Sequence, residues 1–197
     1  SSYVGRHIVG VLSSAGFHVD FSYRTRSDAV NYLADLKNTT EIRVDFDRPF
    51  VATREYEVLI NSCGAYSLNS ARDDDIILPN VNSALSLLQI TRVSETPRII
   101  INFSSLSVYG WPLPAIIDDD AEPRPTDLYG SSKLISEQIL NLAKGQLPVV
   151  NLRFPVVLGR GAHRAWLPTI LKKLSAGESV EVRNPTEPYF ACTSLAA

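Results

Sequence analysis

Tyr129 and Lys133 stand at i and i+4 in Tyr129-Gly130-Ser131-Ser132-Lys133. On a helix that spacing puts a phenol and an ammonium on one face, where the cation can stabilise a phenolate. Free tyrosine titrates near pH ~10, too high for proton exchange at neutral pH, and a neighbouring positive charge brings it down. The pair therefore has the chemistry of a tyrosine acid/base. Ser105, at the end of an apolar run, is the residue type that holds a reacting oxygen by a hydrogen bond. With eight tyrosines in the chain the Tyr-x-x-x-Lys spacing arises readily by chance, so the surrounding elements decide its weight.

Ile99-Ile100-Ile101-Asn102-Phe103-Ser104-Ser105 reads as a buried parallel strand that delivers Ser105 to its carboxyl end. Ligands of open α/β sheets bind at that edge. Apolar residues at Ile8, Val9, Val11 and Leu12 predict a helix over 5–15, closed by Gly16. A strand over 17–23, a helix over 27–36 opened by Ser27, and short strands over 41–44 and 57–61 follow. A long helix over 75–93 tolerates Pro79. The helix over 127–143 carries the Tyr-Lys pair and presents Leu134, Ile135, Ile139 and Leu142 at helical spacing, and a strand over 148–154 completes the series. Alternating strands and helices make a doubly wound α/β domain.

Ser104-Ser105-Leu106-Ser107-Val108-Tyr109-Gly110, a Pro-rich loop and then the Tyr129 to Lys133 motif resemble the extended short-chain dehydrogenase/reductase family, also called the NAD-dependent epimerase/dehydratase family. The resemblance implies a Rossmann-type parallel sheet and hydride transfer between a secondary alcohol and nicotinamide. Ser105, Tyr129 and Lys133 are then the catalytic residues. Tyr129 exchanges the hydroxyl proton, Lys133 lowers its pKa and holds the cofactor ribose, and Ser105 orients the oxygen. Two half-reactions on one bound sugar give epimerisation. A homodimer is implied through the helices over 75–93 and 127–143, with Leu87, Ile135 and Leu142 as the outward apolar stripe.

Further segments fall in the order the resemblance implies for cofactor binding. Ser1-Ser2-Tyr3-Val4-Gly5 resembles the latter part of Gly-x-x-Gly-x-x-Gly, so Tyr3, Val4 and Gly5 meet the pyrophosphate, with Ser2 in the place of the middle glycine. Asp45 and Phe46 match the adenine-binding pair, and Ser62, Cys63 and Gly64 the small-residue turn along the cofactor. Asn80, Ser104, Tyr129, Lys133, Phe154 and Val156 complete the set. An acid at the end of the second strand would favour NAD; here Tyr23 takes its place and Arg24 and Arg26 follow, the residue type that receives a 2′-phosphate. NADP is the expected cofactor, NAD the alternative.

The expected substrate is a nucleotide sugar or another carbonyl or secondary alcohol, contacted by Ser105, Tyr129, His163 and Arg164. Leu106 and Ser107 stand where the family's dehydratases carry an acidic pair, which disfavours dehydration. Val156 stands where many nucleotide-sugar epimerases carry an Asn, which weakens the epimerase reading against a reductase. A different class stays open: a regulator that senses NADP on the same fold without catalysis.

The remaining composition bounds the answer. Hydrophobic residues at 45%, charged residues at 20% and a net charge of −2 suit one substantial core and give no basic excess for nucleic acid. No apolar stretch reaches bilayer length and no signal-peptide pattern opens the chain, so a cytoplasmic location is the default. Cys63 and Cys192 lack disulfide or metal spacing, and His7, His18 and His163 are scattered, so no metal is expected. The dinucleotide-binding domain is expected over 1–154 and the beginning of a substrate-binding lobe over 155–197. The chain begins inside the glycine turn. The first strand, which the family's order places centrally, is therefore expected to be absent and to leave a gap in mid-sheet; with no Met in 197 residues, the chain reads as a fragment.

Overall fold

The computed structural model describes residues 2–51, 54–65, 72–114, 116–118, 120–159, 162, 166–181 and 192–194. The chain divides into two compact units, Ser1–Arg153 and Phe154–Ala197.

In the first unit, helix α1 (Tyr3–Ser14) starts earlier than the apolar periodicity predicts, because the Ser2 hydroxyl accepts from the Gly5 N–H at 2.9 Å and caps the helix. Gly16, at φ +88°, lets the chain leave it. Strand β1 (Val19–Tyr23) pairs in parallel with β2 (Thr39–Arg43), Phe21 opposite Glu41. Helix α2 (Asp28–Ala34) crosses between them, its first turn capped by Ser27. Val9, Phe21, Val30 and Leu33 form the core under this half.

Strand β3 (Val58–Asn61) pairs in parallel with β4 (Ile99–Ser105), and β5 (Val149–Phe154) lies along the other side of β4. Burial alternates along β4, with Ile100, Asn102 and Ser104 inward. Helices α3 (Asp74–Val93) and α4 (Leu128–Asn141) pack on each other and on this sheet. Leu87 belongs to that core at 8% exposure, which corrects its assignment to an outward stripe; Ile135 and Leu142 do face outward, at 41% and 65%.

The parallel strands thus form two sheets, β2-β1 and β3-β4-β5, rather than one continuous sheet. Asp20 of β1 accepts a 3.0 Å hydrogen bond from the Tyr56 hydroxyl, just before β3. In the second unit β6 (Val156–Leu158) pairs in parallel with β7 (Cys192–Ser194), and α5 (Trp166–Ser175) lies between them in sequence. Among the described residues no helix is long and apolar enough to cross a membrane.

Candidate active site

The start of α4 is fixed from two sides. Asp127 accepts from the Gly130 N–H at 2.6 Å and caps the helix, so Tyr129 sits in its first turn. A side chain at Gly130 would meet the Ser107 carbonyl oxygen at 2.3 Å, so that turn lies directly on the short 3₁₀ turn Leu106–Tyr109 which continues β4. Ser105 stands at the junction. Its hydroxyl accepts from the Ser107 N–H and donates to the Ser107 hydroxyl, both at 3.1 Å. The glycine after Tyr129 thus brings the turn of the phenol against the turn of the serine.

Lys133 lies one helical turn on and is 1% exposed. Its ammonium donates to the Cys63 carbonyl at 2.9 Å. Burial pulls its pKa down to about 8, against smaller opposing contributions from Cys63 and Glu137. The Tyr129 hydroxyl lies 3.9 Å from where a Cβ at Gly64 would stand. Tyr129 and Lys133 therefore reach the same turn after β3. Burial raises the pKa of the Cys63 thiol, which donates to the Pro79 carbonyl at 3.4 Å.

Asn80, fully buried, binds that turn to both helices. Its amide accepts from the Ala65 N–H (3.0 Å) and donates to the Ala65 carbonyl (3.3 Å) and the Ser132 hydroxyl (2.8 Å). Sequence reasoning missed the ladder behind it. Asn61 donates to Asn102 (3.0 Å), Asn102 to Asn151 (2.8 Å) and Asn151 to Asn141 (3.2 Å), while Asn61 Oδ1 accepts from the Cys63 N–H (3.2 Å). A single Asn inside each of three apolar runs was the available signal. Also missed were Asn82, which donates to the Phe46 carbonyl (2.8 Å), and Ser86, which accepts from the Phe50 N–H (2.9 Å). Both hold the loop after β2.

Gly5 lies against the same turn, since a Cβ there would fall 2.5 Å from the Ser62 hydroxyl. The Ser2 hydroxyl, accepting from Gly5, keeps its own proton to donate. Tyr3 and Val4 open α1; the Tyr3 ring meets His7 edge-on at 4.7 Å. Asp45 is exposed and accepts from the Asp47 N–H at 3.2 Å. Arg24 is exposed and has no ion-pair partner among the described residues; its charge opposes, in small part, the burial that raises the pKa of the Cys63 thiol. Arg26 differs from the expectation that it is available to a phosphate, because it is paired with Glu41.

Phe154 and Val156 fall in the second unit, in β5 and β6. His163 and Arg164 lie outside the described residues. A cleft of about 420 Å³ opens beside Tyr109, Trp111 and Arg124; no residue of the expected site lines it.

The hydroxyls of Tyr3 and Ser104 are buried without a hydrogen-bond partner among the described residues. An unmet buried hydroxyl costs roughly 1–3 kcal/mol, so each suits a polar ligand brought to the start of α1 and the end of β4. With the small-residue turn at Ser62 to Gly64 and the Lys133 ammonium held on its Cys63 carbonyl, the donor set fits a nicotinamide dinucleotide.

Among solved structures, the fold is similar to UDP-glucuronic acid 4-epimerase from Bacillus cereus in complex with UDP-glucuronic acid and NAD (18% identity, TM-score 0.75, covering 90% of this chain and 61% of that one). It is also similar to the Bordetella bronchiseptica enzyme WbmG in complex with NAD and UDP (19%, 0.73, 91% and 58%) and to a UDP-galactose 4-epimerase (18%, 0.72, 89% and 61%). The chain spans about three-fifths of the length of these structures. No curated protein matches. The model of the NAD-dependent epimerase/dehydratase family matches residues 1–189, and with the Rossmann-type fold in place the chain belongs to that family.

Proposed function

We propose that the protein is a nicotinamide-dinucleotide-dependent epimerase acting on a nucleotide sugar, with Tyr129 as acid/base, Lys133 as its electrostatic support and Ser105 as the residue that orients the reacting oxygen. The observation that carries the reading is the convergence of Tyr129 and Lys133 on one turn, the ammonium 2.9 Å from the Cys63 carbonyl and the phenol beside Gly64. The bound nicotinamide supplies reversible hydride acceptance. The chain's own residues move the proton. Tyr129, as the phenolate, takes it from the substrate hydroxyl as the carbonyl forms and, as the phenol so made, returns it when the carbonyl is reduced; the Lys133 charge stabilises the phenolate that begins and ends this cycle. Ser105, freed from Ser107, donates to the carbonyl oxygen.

Four finer assignments belong to this reading. Arg24 favours NADP over NAD, although two of the similar structures named above hold NAD. Leu106 and Ser107, in place of an acidic pair, disfavour dehydration. The outward Ile135 and Leu142 support a homodimer through α3 and α4. Residues 155–197 belong to the substrate-binding lobe, with His163 and Arg164 as sugar or phosphate contacts.

The test offers UDP-glucose, UDP-galactose and UDP-glucuronic acid to the full chain with either dinucleotide and follows the sugar configuration by NMR. One epimer should convert to the other without net cofactor reduction, and Tyr129→Phe should slow this by roughly 10²- to 10⁴-fold while leaving dinucleotide affinity nearly intact. A Tyr129→Phe variant as fast as wild type would refute the acid/base assignment. Dinucleotide binding with no turnover of any sugar would instead favour the regulatory reading.

A further inference from the structure

Two arginines follow Tyr23 at the carboxyl end of β1, and their surroundings differ. Arg24 projects without an ion-pair partner among the described residues. Arg26 is held in place by three residues. Its Nη1 donates to Glu41 Oε2 in a short contact and to the Tyr23 hydroxyl at 3.3 Å, its Nε donates to Asn31 Oδ1 at 2.7 Å, and its guanidinium lies 5.7 Å from the centre of the Tyr23 ring. Glu41 sits in the middle of β2, opposite Phe21 in the parallel register, and its carboxylate meets Arg26, which folds back from the carboxyl end of β1. The acid that the end of β1 lacks in sequence is thus present in space, supplied by β2.

We propose that Glu41 is a specificity-determining residue for the dinucleotide: it neutralises Arg26 and holds it away from a 2′-phosphate, leaving Arg24 to receive that group. The proposal rests on the cofactor reading given above. An arginine fork already engaged by a carboxylate must give up that pair before it can hold a phosphate, and the carboxylate itself repels the incoming dianion. The Arg26 and Glu41 side chains are 50% and 35% exposed, so the pair stands where a ligand can compete for it. Glutamine at position 41 keeps an acceptor for Arg26 but removes the opposing charge. Arg26 then acts on a 2′-phosphate at full strength.

The test uses the full chain as wild type, Glu41→Gln, Arg26→Ala and the double variant, titrated calorimetrically with adenosine 2′,5′-bisphosphate and AMP, then with NADPH and NADH. Glu41→Gln should bind the two 2′-phosphorylated ligands roughly 10-fold tighter, the worth of one charge-assisted hydrogen bond, and change the other two by less than about 2-fold. Arg26→Ala in the Glu41→Gln background should abolish the gain, and by itself should weaken NADPH more than NADH, because it leaves the Glu41 charge unopposed beside the 2′-phosphate. An unchanged ratio of NADPH to NADH affinity in Glu41→Gln, or a gain that survives loss of Arg26, overturns the role of Glu41 and leaves the cofactor reading standing. Absence of any adenine-nucleotide binding by every protein overturns both.

Discussion

Replacing Lys133 with methionine removes a buried ammonium and keeps an unbranched chain in its place. The folded-state pKa of about 8 lies well below the free-lysine value of 10.5, chiefly because burial penalises the charge. That gap corresponds to roughly 3 kcal/mol, a cost fully present below the folded pKa, where both states carry the proton. Between the two values the unfolded chain holds more proton than the folded one. Stability contributed at this site must therefore rise with pH and reach its plateau above the unfolded pKa. Measured by urea unfolding from pH 7 to pH 9.5, wild type should gain about 2 kcal/mol relative to Lys133→Met. Other titrating groups, and the lost bond to the Cys63 carbonyl, cancel in that slope. Parallel curves, diverging by less than about 0.5 kcal/mol, would refute a desolvated Lys133.

Gly130→Ala places a methyl group 2.3 Å from the Ser107 carbonyl, so the first turn of α4 must shift; overpacking of this kind costs roughly 1–3 kcal/mol, read as a melting-temperature loss of several degrees, and turnover should fall further than stability alone explains. Arg24→Ala should weaken NADPH roughly 10- to 100-fold and NADH far less, by calorimetric titration; equal losses would mean that Arg24 touches only the part common to both. Leu142→Glu, at a position 65% exposed, should convert a dimer to a monomer in sedimentation without lowering the melting temperature of the fold; a wild type that is already monomeric at micromolar concentration removes the homodimer.

Features encoded within a few residues were legible in the sequence. The β-branched run ending at Ser105, the Ser27 cap and the Gly16 helix stop each follow from local chemistry, and so did the elements that carry Ser105, Tyr129 and Lys133. Features set by register between distant segments were not. Arg26 finds Glu41 15 residues on because β1 and β2 align Phe21 with Glu41, and nothing in the Tyr23 to Arg26 segment announces that partner. Leu87 lies on an apolar stripe that periodicity detects, but α3 packs against both its sheet and α4, so periodicity cannot say which apolar positions remain outside. The start of α1 was misplaced for a local reason: Ser2 was weighed as a substituted glycine and not as a cap.

The surroundings of Lys133 explain why so much buried polarity is tolerated in this sheet. Glu137, one helical turn away, is the acid that α4 could offer the ammonium, yet its two oxygens are taken by Arg153 at 3.0 and 2.7 Å, and Arg153 in turn donates to the Tyr109 hydroxyl at 2.7 Å. A carboxylate bound directly to Lys133 would raise its pKa and cancel its charge locally. The Cys63 carbonyl does neither to the same degree: it orients the ammonium and leaves its charge for the phenolate proposed at Tyr129. A carbonyl can do this only if the turn that carries it is rigid. The rigidity comes from Asn61 capping the Cys63 N–H, with Asn102, Asn151 and Asn141 satisfying each amide in series across three strands into α4. Broken anywhere, such a network would leave buried amides unmet; closed, it links the helix that carries Tyr129 and Lys133 to the turn that receives them.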